Sequence, residues 1–335
     1  MLERTLKRDC LIGLGRRMSR RFTRMVARTI ALYSRPKGFI GPAVLRVGLA
    51  AVMLVHYLWH FGERDLIWGP RGQLGFHEYA TTTPGGIFAL YSLSGSPLYS
   101  TSLVIASVVI AAAFGLGVLP RVTCWLFAIT TYASVARDPL ATDAGQSLAY
   151  LLAFLLCIVD TSRYLAPLAR RRQAELGSLA RAIVGMLHNS GRFLIAWQIC
   201  MVYFWAAFWK LGGDEWRDGT ALGSILGLER FQPFPWISHA LATNAILTAV
   251  LTYFTVAFQM GFPFLMWNQR IKPYLITVAV TLHLGIAFLL GLISFSAIMI
   301  AGDLSLLSDQ QFELLFESIR GALIRARTAV LAMRA

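Results

Sequence analysis

The sequence predicts an all-α, polytopic helical membrane protein of about seven transmembrane helices (range six to eight), with its N-terminus in the cytoplasm. Three observations carry this. Hydrophobic residues make up 56% of the 335 positions and charged residues 14%, where a soluble domain carries about 25% charged residues. Apolar runs recur at close to the ~20 residues that a bilayer requires, and the mean hydropathy is +0.59. The net charge of +14, from 31 Lys+Arg and 17 Asp+Glu, is gathered into a few segments between the apolar runs. Apolar content this high excludes disorder for most of the chain. Basic clusters flanked by apolar spans suit a cytoplasmic membrane face, and nucleic acid is not expected as a partner.

Three regions follow in order. Residues 1–40 form a basic cytoplasmic or interfacial segment. It holds all eleven Lys/Arg found before the first span, and apolar positions recur near helical spacing over 14–34, as in an amphipathic helix on the inner leaflet. Its basic stretch is too long for a signal-peptide n-region, so the first span is expected to remain as an anchor. Residues 41–307 form the transmembrane domain. Span 1 covers 43–61, and a Gly-, Pro- and aromatic-rich external loop runs to about residue 100, with a short helix around 86–93. Spans 2 and 3 cover 101–119 and 122–135, hinged at Pro120–Arg121; spans 4, 5 and 6 cover 146–164, 193–211 and 241–267. The final apolar stretch, 276–307, is too long for one span and short for two, so a break near Gly285 or Gly291 is expected. Residues 308–335 form an amphipathic tail.

Charge sets the orientation. With the N-terminus inside, internal segments hold twenty Lys/Arg, while external segments hold five together with nine acids, as the positive-inside rule requires. The tail conflicts with this: Arg320, Arg325, Arg327 and Arg334 favour the inside, but seven spans place them outside. Either the last stretch is a tight hairpin or the tail lies on the outer face.

Several ionisable residues fall in or beside the spans. Lys210 ends an apolar helix between Trp209 and Trp216, next to a Gly-Gly turn and the acids Asp214, Glu215 and Asp218. It is either an interfacial anchor that snorkels or a desolvated lysine that acts as a base. Trp205, Phe208 and Trp209 are expected around it. Asp143 and Gln146, at the outer end of span 4, are expected to line the same external cavity, with His283 nearby. Arg46 in span 1 needs a buried partner, either a backbone carbonyl or, preferred here, Asp160. His56 and His60 have metal-compatible i,i+4 spacing but no third ligand, so no metal is expected. Asp303 is read as marking the end of a span. The four cysteines form no CxxC pair and support no disulfide framework.

Residues 203–219, YFWAAFWKLGGDEWRDG, resemble the Lys-Leu…Trp…Gly block of the HTTM (horizontally transferred transmembrane) family. Weaker matches are 151–160, His283 with 295–301, and the placement of Arg46. The resemblance covers roughly residues 40–308. It implies a multi-pass protein of a bacterial-type inner membrane. In the family's vitamin K-dependent γ-glutamyl carboxylase, the lysine at the position of Lys210 is the base that deprotonates a reduced quinone. The resemblance therefore implies Lys210, His283 and Asp143 as catalytic candidates, Gln146, Trp205, Trp209 and Trp216 as substrate-binding candidates, and a reduced quinone as the candidate cofactor. The stretch 142–147 lacks that carboxylase's histidine, and no large domain follows the spans, so glutamate carboxylation itself is not implied. The chain is more similar to the short bacterial members that act in maturation of sporulation-delaying peptide toxins, which implies a precursor peptide and a small partner protein.

Cysteines introduced at Gly72 and Asp218 should react with a membrane-impermeant thiol reagent added outside, and one at Arg171 should not. Labelling at Arg171 would overturn the orientation.

Overall fold

A computed structural model describes residues 25, 28–72, 74–82, 88–138, 142–168 and 177–332; side chains at 322–323 and beyond 325 are outside the description. Every regular element among these residues is helical. The long helices are α1 (Ile40–Trp59), α2 (Pro97–Leu116), α3 (Pro120–Arg137), α4 (Ala144–Leu156), α5 (Ser178–Leu211), α6 (Ala245–Leu265), α7 (Lys272–Leu290), α8 (Ile293–Ser305) and α9 (Asp309–Ala332). Five segments are long and apolar enough to cross a membrane: α1 with its helical extension to Ile67, then α2, α5, α6 and α7. α3 has 18 residues; α4 and α8 are apolar but have 13 each.

Side-chain contacts fix the direction of each helix. Gly41 lies against the Ser305 carbonyl and Gly48 against Ala301, so α1 and α8 are antiparallel. Gly145 meets Phe295 and Gly302 faces Leu152, so α4 and α8 are parallel. Arg64, beyond α1, bonds Thr101 near the start of α2, and Gly115 packs on Ala50. The eight apolar helices therefore alternate. One end of the bundle gathers the start of α1, the α2–α3 turn, the segment after α4, the α6–α7 turn and the start of α9. Arg121, Arg163, Arg270 and Lys272 lie there, and we call it the basic end. The opposite, acidic end carries the 60–100 and 212–244 segments.

The last apolar stretch is the hairpin that sequence left open. It breaks at Gly291, where φ is +71°, a conformation that glycine adopts without steric cost; α7 and α8 then pack together. The chain thus returns to the basic end before the tail. Asp309 there accepts hydrogen bonds from the amides of Phe39 (2.9 and 3.1 Å) and Ile40 (2.9 Å), satisfying two of the donors that a helix N-terminus leaves orphaned.

Other boundaries also differ from expectation. α4 stops at Leu156, eight residues short of the predicted span end, because 157–168 turns back to meet Arg46. In the external loop, a helix forms at Phe76–Thr82 and a 3₁₀ turn at Leu90–Ser92. Residues 83–87, where the expected helix begins, lie outside the description. Arg137 ties this loop to the bundle through the Gly69 carbonyl and the face of Tyr79, 4.9 Å away. Burial holds the Tyr91 phenol well above its ordinary range. α5 begins fifteen residues before its predicted start.

Residues 28–37 and the start of α5, up to Gly191, form a unit of their own. Asn189 organises it by donating to the carbonyls of Tyr33 (2.7 Å) and Arg35 (2.8 Å) and accepting from the Lys37 amide (3.2 Å). Gly185 is required there, since a Cβ would sit 1.8 Å from the Ser34 carbonyl. Of the amphipathic helix expected over 14–34, residues 28–33 are helical; most of the remainder, like the Arg170–Arg172 run, lies outside the described residues.

Arg46 is fully buried, as expected, but the expected partner is corrected. Its guanidinium donates to the carbonyls of Thr161 (2.8 Å), Tyr164 (3.5 Å) and Leu165, not to Asp160. The Asp160 carboxylate instead accepts from the Ser162 hydroxyl (2.6 Å) and amide (3.0 Å) and pairs with Arg163 at 3.1 Å. A turn places carbonyls toward the helix interface and leaves the acid at the rim. Burial acts to raise the Asp160 carboxyl, but the Ser162 and Arg163 hydrogen bonds prevail and hold it below its ordinary 3.8. Cys124 and Cys157, distant in sequence, have sulfurs 3.5 Å apart.

Arg46→Leu should cost about 1–3 kcal/mol for each carbonyl left buried and unpaired, whereas Asp160→Asn, at a half-exposed pair, should cost about 1 kcal/mol or less at neutral pH. Because the folded Asp160 value is depressed, its contribution is complete above the unfolded value and vanishes as pH falls through the folded one. Thermal unfolding in detergent at neutral and acid pH checks both; equal losses for the two variants would restore the ion pair.

Candidate functional site

Three polar clusters contain the candidate residues. The first is at the acidic end of α5. Four helical turns of apolar and aromatic residues carry Lys210 to the C-terminal end, where the helix dipole favours a cation. Its Nζ lies 3.5 Å from the Ala206 carbonyl and 4.9 Å from the centroid of the Trp216 ring. Among the described residues no carboxylate comes within 4.0 Å of it. The neighbouring acids are engaged elsewhere: Asp214 pairs with Arg217, and Asp218 accepts from the Thr220 hydroxyl (2.6 Å) and amide (3.0 Å), bonds that hold its carboxyl below the ordinary range. Trp216 is the aromatic that touches the amine. Trp205 and Trp209 are 49% and 74% exposed and face outward, as does Phe208.

The second cluster begins α4. Asp143 is its N-cap: the Gln146 amide donates to Asp143 Oδ1 (3.0 Å), and the Asp143 amide donates to Gln146 Oε1 (2.7 Å), a reciprocal capping box. The buried Gln146 Nε2 also lies 3.0 Å from His56 Nδ1. The His56 ring is 5.0 Å from that of His60 and 5.6 Å from that of Trp68. Among the described residues no group of three metal-ligating side chains forms here or elsewhere.

The third cluster lies in the core, where α5, α7 and α8 meet. The Tyr203 hydroxyl is 2.9 Å from His283 Nε2 and donates to Asp303 Oδ2 at 2.8 Å. His283 Nε2 and Asp303 Oδ2 are 3.8 Å apart, and their side chains are 2% and 0% exposed. Phe262 stacks on Tyr203 at 4.0 Å, and Phe295 packs edge-on to His283.

The residues expected to line one cavity fall into three hydrogen-bonded groups. No hydrogen bond or ion pair joins Lys210 to Asp143, Gln146 or His283; Asp143 and Gln146 serve each other and His56, while His283 belongs to the core. Asp303 does lie in the last turn of α8, near the end of the last apolar stretch, and its carboxylate is also the buried partner of Tyr203. A signal for this was present. Asp303 follows Ser296 by seven residues, two helical turns, on one face of an apolar helix, and Tyr203 precedes Lys210 by the same interval.

An apolar groove of about 480 Å³ runs between α5 and α6, walled by Trp197, Phe204, Trp205, Phe264 and Trp267. Cys200, also in its wall, is one turn from Tyr203.

A family profile described as the HTTM domain matches residues 41–309. An uncharacterized protein of Bacillus subtilis (strain 168), YitO, is 28% identical over 196 residues; these are 55% of this chain, which thus spans 59% of that protein's length. No solved structure matches the chain.

As a cap, Asp143 should tolerate Asp143→Ser, while Asp143→Ala should cost about 1 kcal/mol. Thermal unfolding measures the cost. Loss of function in the Ser variant at unchanged stability would assign Asp143 a chemical role.

Proposed function

The chain belongs to the HTTM family of membrane proteins, and from that premise we propose that it is a membrane-embedded factor for maturation of a secreted antimicrobial peptide of the sporulation-delaying type. It works at the outer end of the bundle, with a small partner protein. The positive-inside rule assigns the basic end to the cytoplasm and the acidic end, with Lys210, to the outside. A secreted precursor would meet the protein on that side. The protein resides in a bacterial inner membrane, a reading supported by its similarity to the Bacillus subtilis protein.

The observation that carries the proposal is the setting of Lys210: an amine at the outer helix end, beside the Trp216 ring, with no carboxylate among the described residues within ion-pair distance. A base must be able to exist as a free amine, and a paired acid would hold the proton on it. Lys210 is the proposed base, flanked by the Trp216 ring 4.9 Å away.

The α5–α6 groove supports a second reading, a quinol-dependent membrane enzyme. Its aromatic walls suit a membrane-soluble prenyl chain, and Trp205 lies five residues, ~7.5 Å of helix rise, before Lys210. In that reading the quinol head reaches Lys210 from the membrane, and a peptide is one candidate substrate among others.

Lys210→Arg and Lys210→Ala should each lower maturation of a co-encoded precursor by about 100-fold or more without altering membrane insertion, because arginine is not deprotonated in proteins. Full activity in the Arg variant would leave Lys210 as an anchor. Quinone co-purifying with the wild type and lost in Trp205→Ala and Trp267→Ala variants would favour the second reading.

A further inference from the structure

The Tyr203, His283 and Asp303 side chains are 1–2% exposed or fully buried, so each proton among them can be counted. Two short contacts join His283 Nε2 to the Tyr203 oxygen and that oxygen to Asp303 Oδ2. A hydroxyl has one proton to give. With Tyr203 donating to Asp303, His283 must donate from Nε2. If Tyr203 donated to His283 instead, two oxygens 2.8 Å apart would face each other unless Asp303 carried a proton. In the first arrangement a neutral imidazole leaves a buried carboxylate with a single donor. Burying such a charge uncompensated is costly, and more so within a membrane.

Among the described residues no lysine or arginine of the surrounding helices comes within 4.0 Å of the Asp303 carboxylate. On α5, Cys200 is the nearest other titratable group, and Arg192 lies toward the basic end beside Gly38. α6 presents Phe258, Phe262 and the uncharged Gln259. On α7, Lys272 donates to the Leu306 carbonyl at 3.2 Å. α1 packs on the other side of α8, and its Arg46 is turned to the 161–165 carbonyls. α4 contributes Leu152 and neighbouring apolar residues. Among the described residues, the only basic nitrogen within 4.0 Å of the Asp303 carboxylate is on His283, at 3.8 Å. Two further atoms of the cluster, His283 Nδ1 and Asp303 Oδ1, are buried without a hydrogen-bond partner among the described residues, as are Ser296 Oγ on α8 and Gln259 Oε1 on α6.

We propose that Tyr203, His283 and Asp303 form an intramembrane proton-binding site, holding one exchangeable proton shared between the Asp303 carboxyl and the His283 imidazole through the Tyr203 hydroxyl. One proton neutralises the cluster. It rests on the carboxyl, or on the imidazole as an ion pair bridged by the phenol, and moving from one state to the other shifts each hydrogen-bond proton by one step. His283 Nδ1 and Asp303 Oδ1 are its points of entry and exit. Ser296, two turns from Asp303 on the same face, continues the polar line toward the acidic end. The site is independent of any role for Lys210.

The test is infrared and nitrogen magnetic-resonance spectroscopy of the purified full-length chain in lipid nanodiscs at neutral pH. The expected result is a protonated-carboxyl band that shifts with carboxyl-labelled aspartate and is abolished by Asp303→Asn, or an imidazole signal, absent in His283→Gln, with both nitrogens protonated. Either should move when water is exchanged for heavy water. Tyr203→Phe keeps the ring and its packing, and should shift whichever signal is present; it serves if Asp303→Asn does not fold. An ionised Asp303 beside a neutral His283 would overturn the proposal. So would a signal that heavy water leaves unmoved over a day, or one that Tyr203→Phe leaves unmoved.

Discussion

The bundle is organised by a helix too short to cross a membrane unaided. At 13 residues and about 1.5 Å per residue, α8 spans ~20 Å of a hydrocarbon layer ~30 Å thick. Its terminal amides and carbonyls cannot be left to lipid, so other helices must enclose it. They do so through small residues that admit close approach. Gly41 and Gly48 bring α1 onto Ser305 and Ala301, Gly145 brings α4 onto Phe295, and Gly302 admits Ile199 of α5. α7 joins by the Gly291 hairpin. The position of α1, the parallel course of α4 and the core location of Asp303 all follow from enclosing this one element.

The buried cations follow a related rule. Arg46 donates to carbonyls of the segment after α4, Lys272 to the carbonyl of Leu306 after α8, and Arg137 to the carbonyl of Gly69 beyond the α1 extension. Each donates to a carbonyl in irregular backbone that follows a helix. The partial negative charge of a helix C-terminus makes those carbonyls good acceptors for a cation. In a chain with few acids in its spans, carbonyls are the available counter-groups, so the long basic side chains act as helix terminators rather than as halves of ion pairs.

The polar groups are consequently partitioned by depth. Lys210 with Trp216, and Asp143 with Gln146 and His56, lie toward the acidic end; Tyr203, His283 and Asp303 lie within the core. Tyr203 and Lys210 share one face of α5 two turns apart, which links the surface amine to the core by helix register alone. The groove between α5 and α6 gives the same helix a second, membrane-facing side. α5 is thus the element on which the accessible amine, the buried cluster and the apolar groove all converge.

By itself the sequence determined the helical membrane class, the Lys/Arg asymmetry and most span centres, because run length and charge placement are local properties that the bilayer reads directly. It also marked Lys210, Arg46 and His283 as residues out of place in apolar surroundings. It left open whether the final stretch was one span or a hairpin, since the deciding feature is the positive φ of a single glycine and the packing that rewards it. Tertiary structure alone decided the partners. The choice of Thr161 and Leu165 carbonyls over the Asp160 carboxylate for Arg46, and of Tyr203 for Asp303, depends on which atoms a turn or a helix face presents to a neighbour distant in sequence. Spacing along one helix specifies that face, but not which other helix is brought against it.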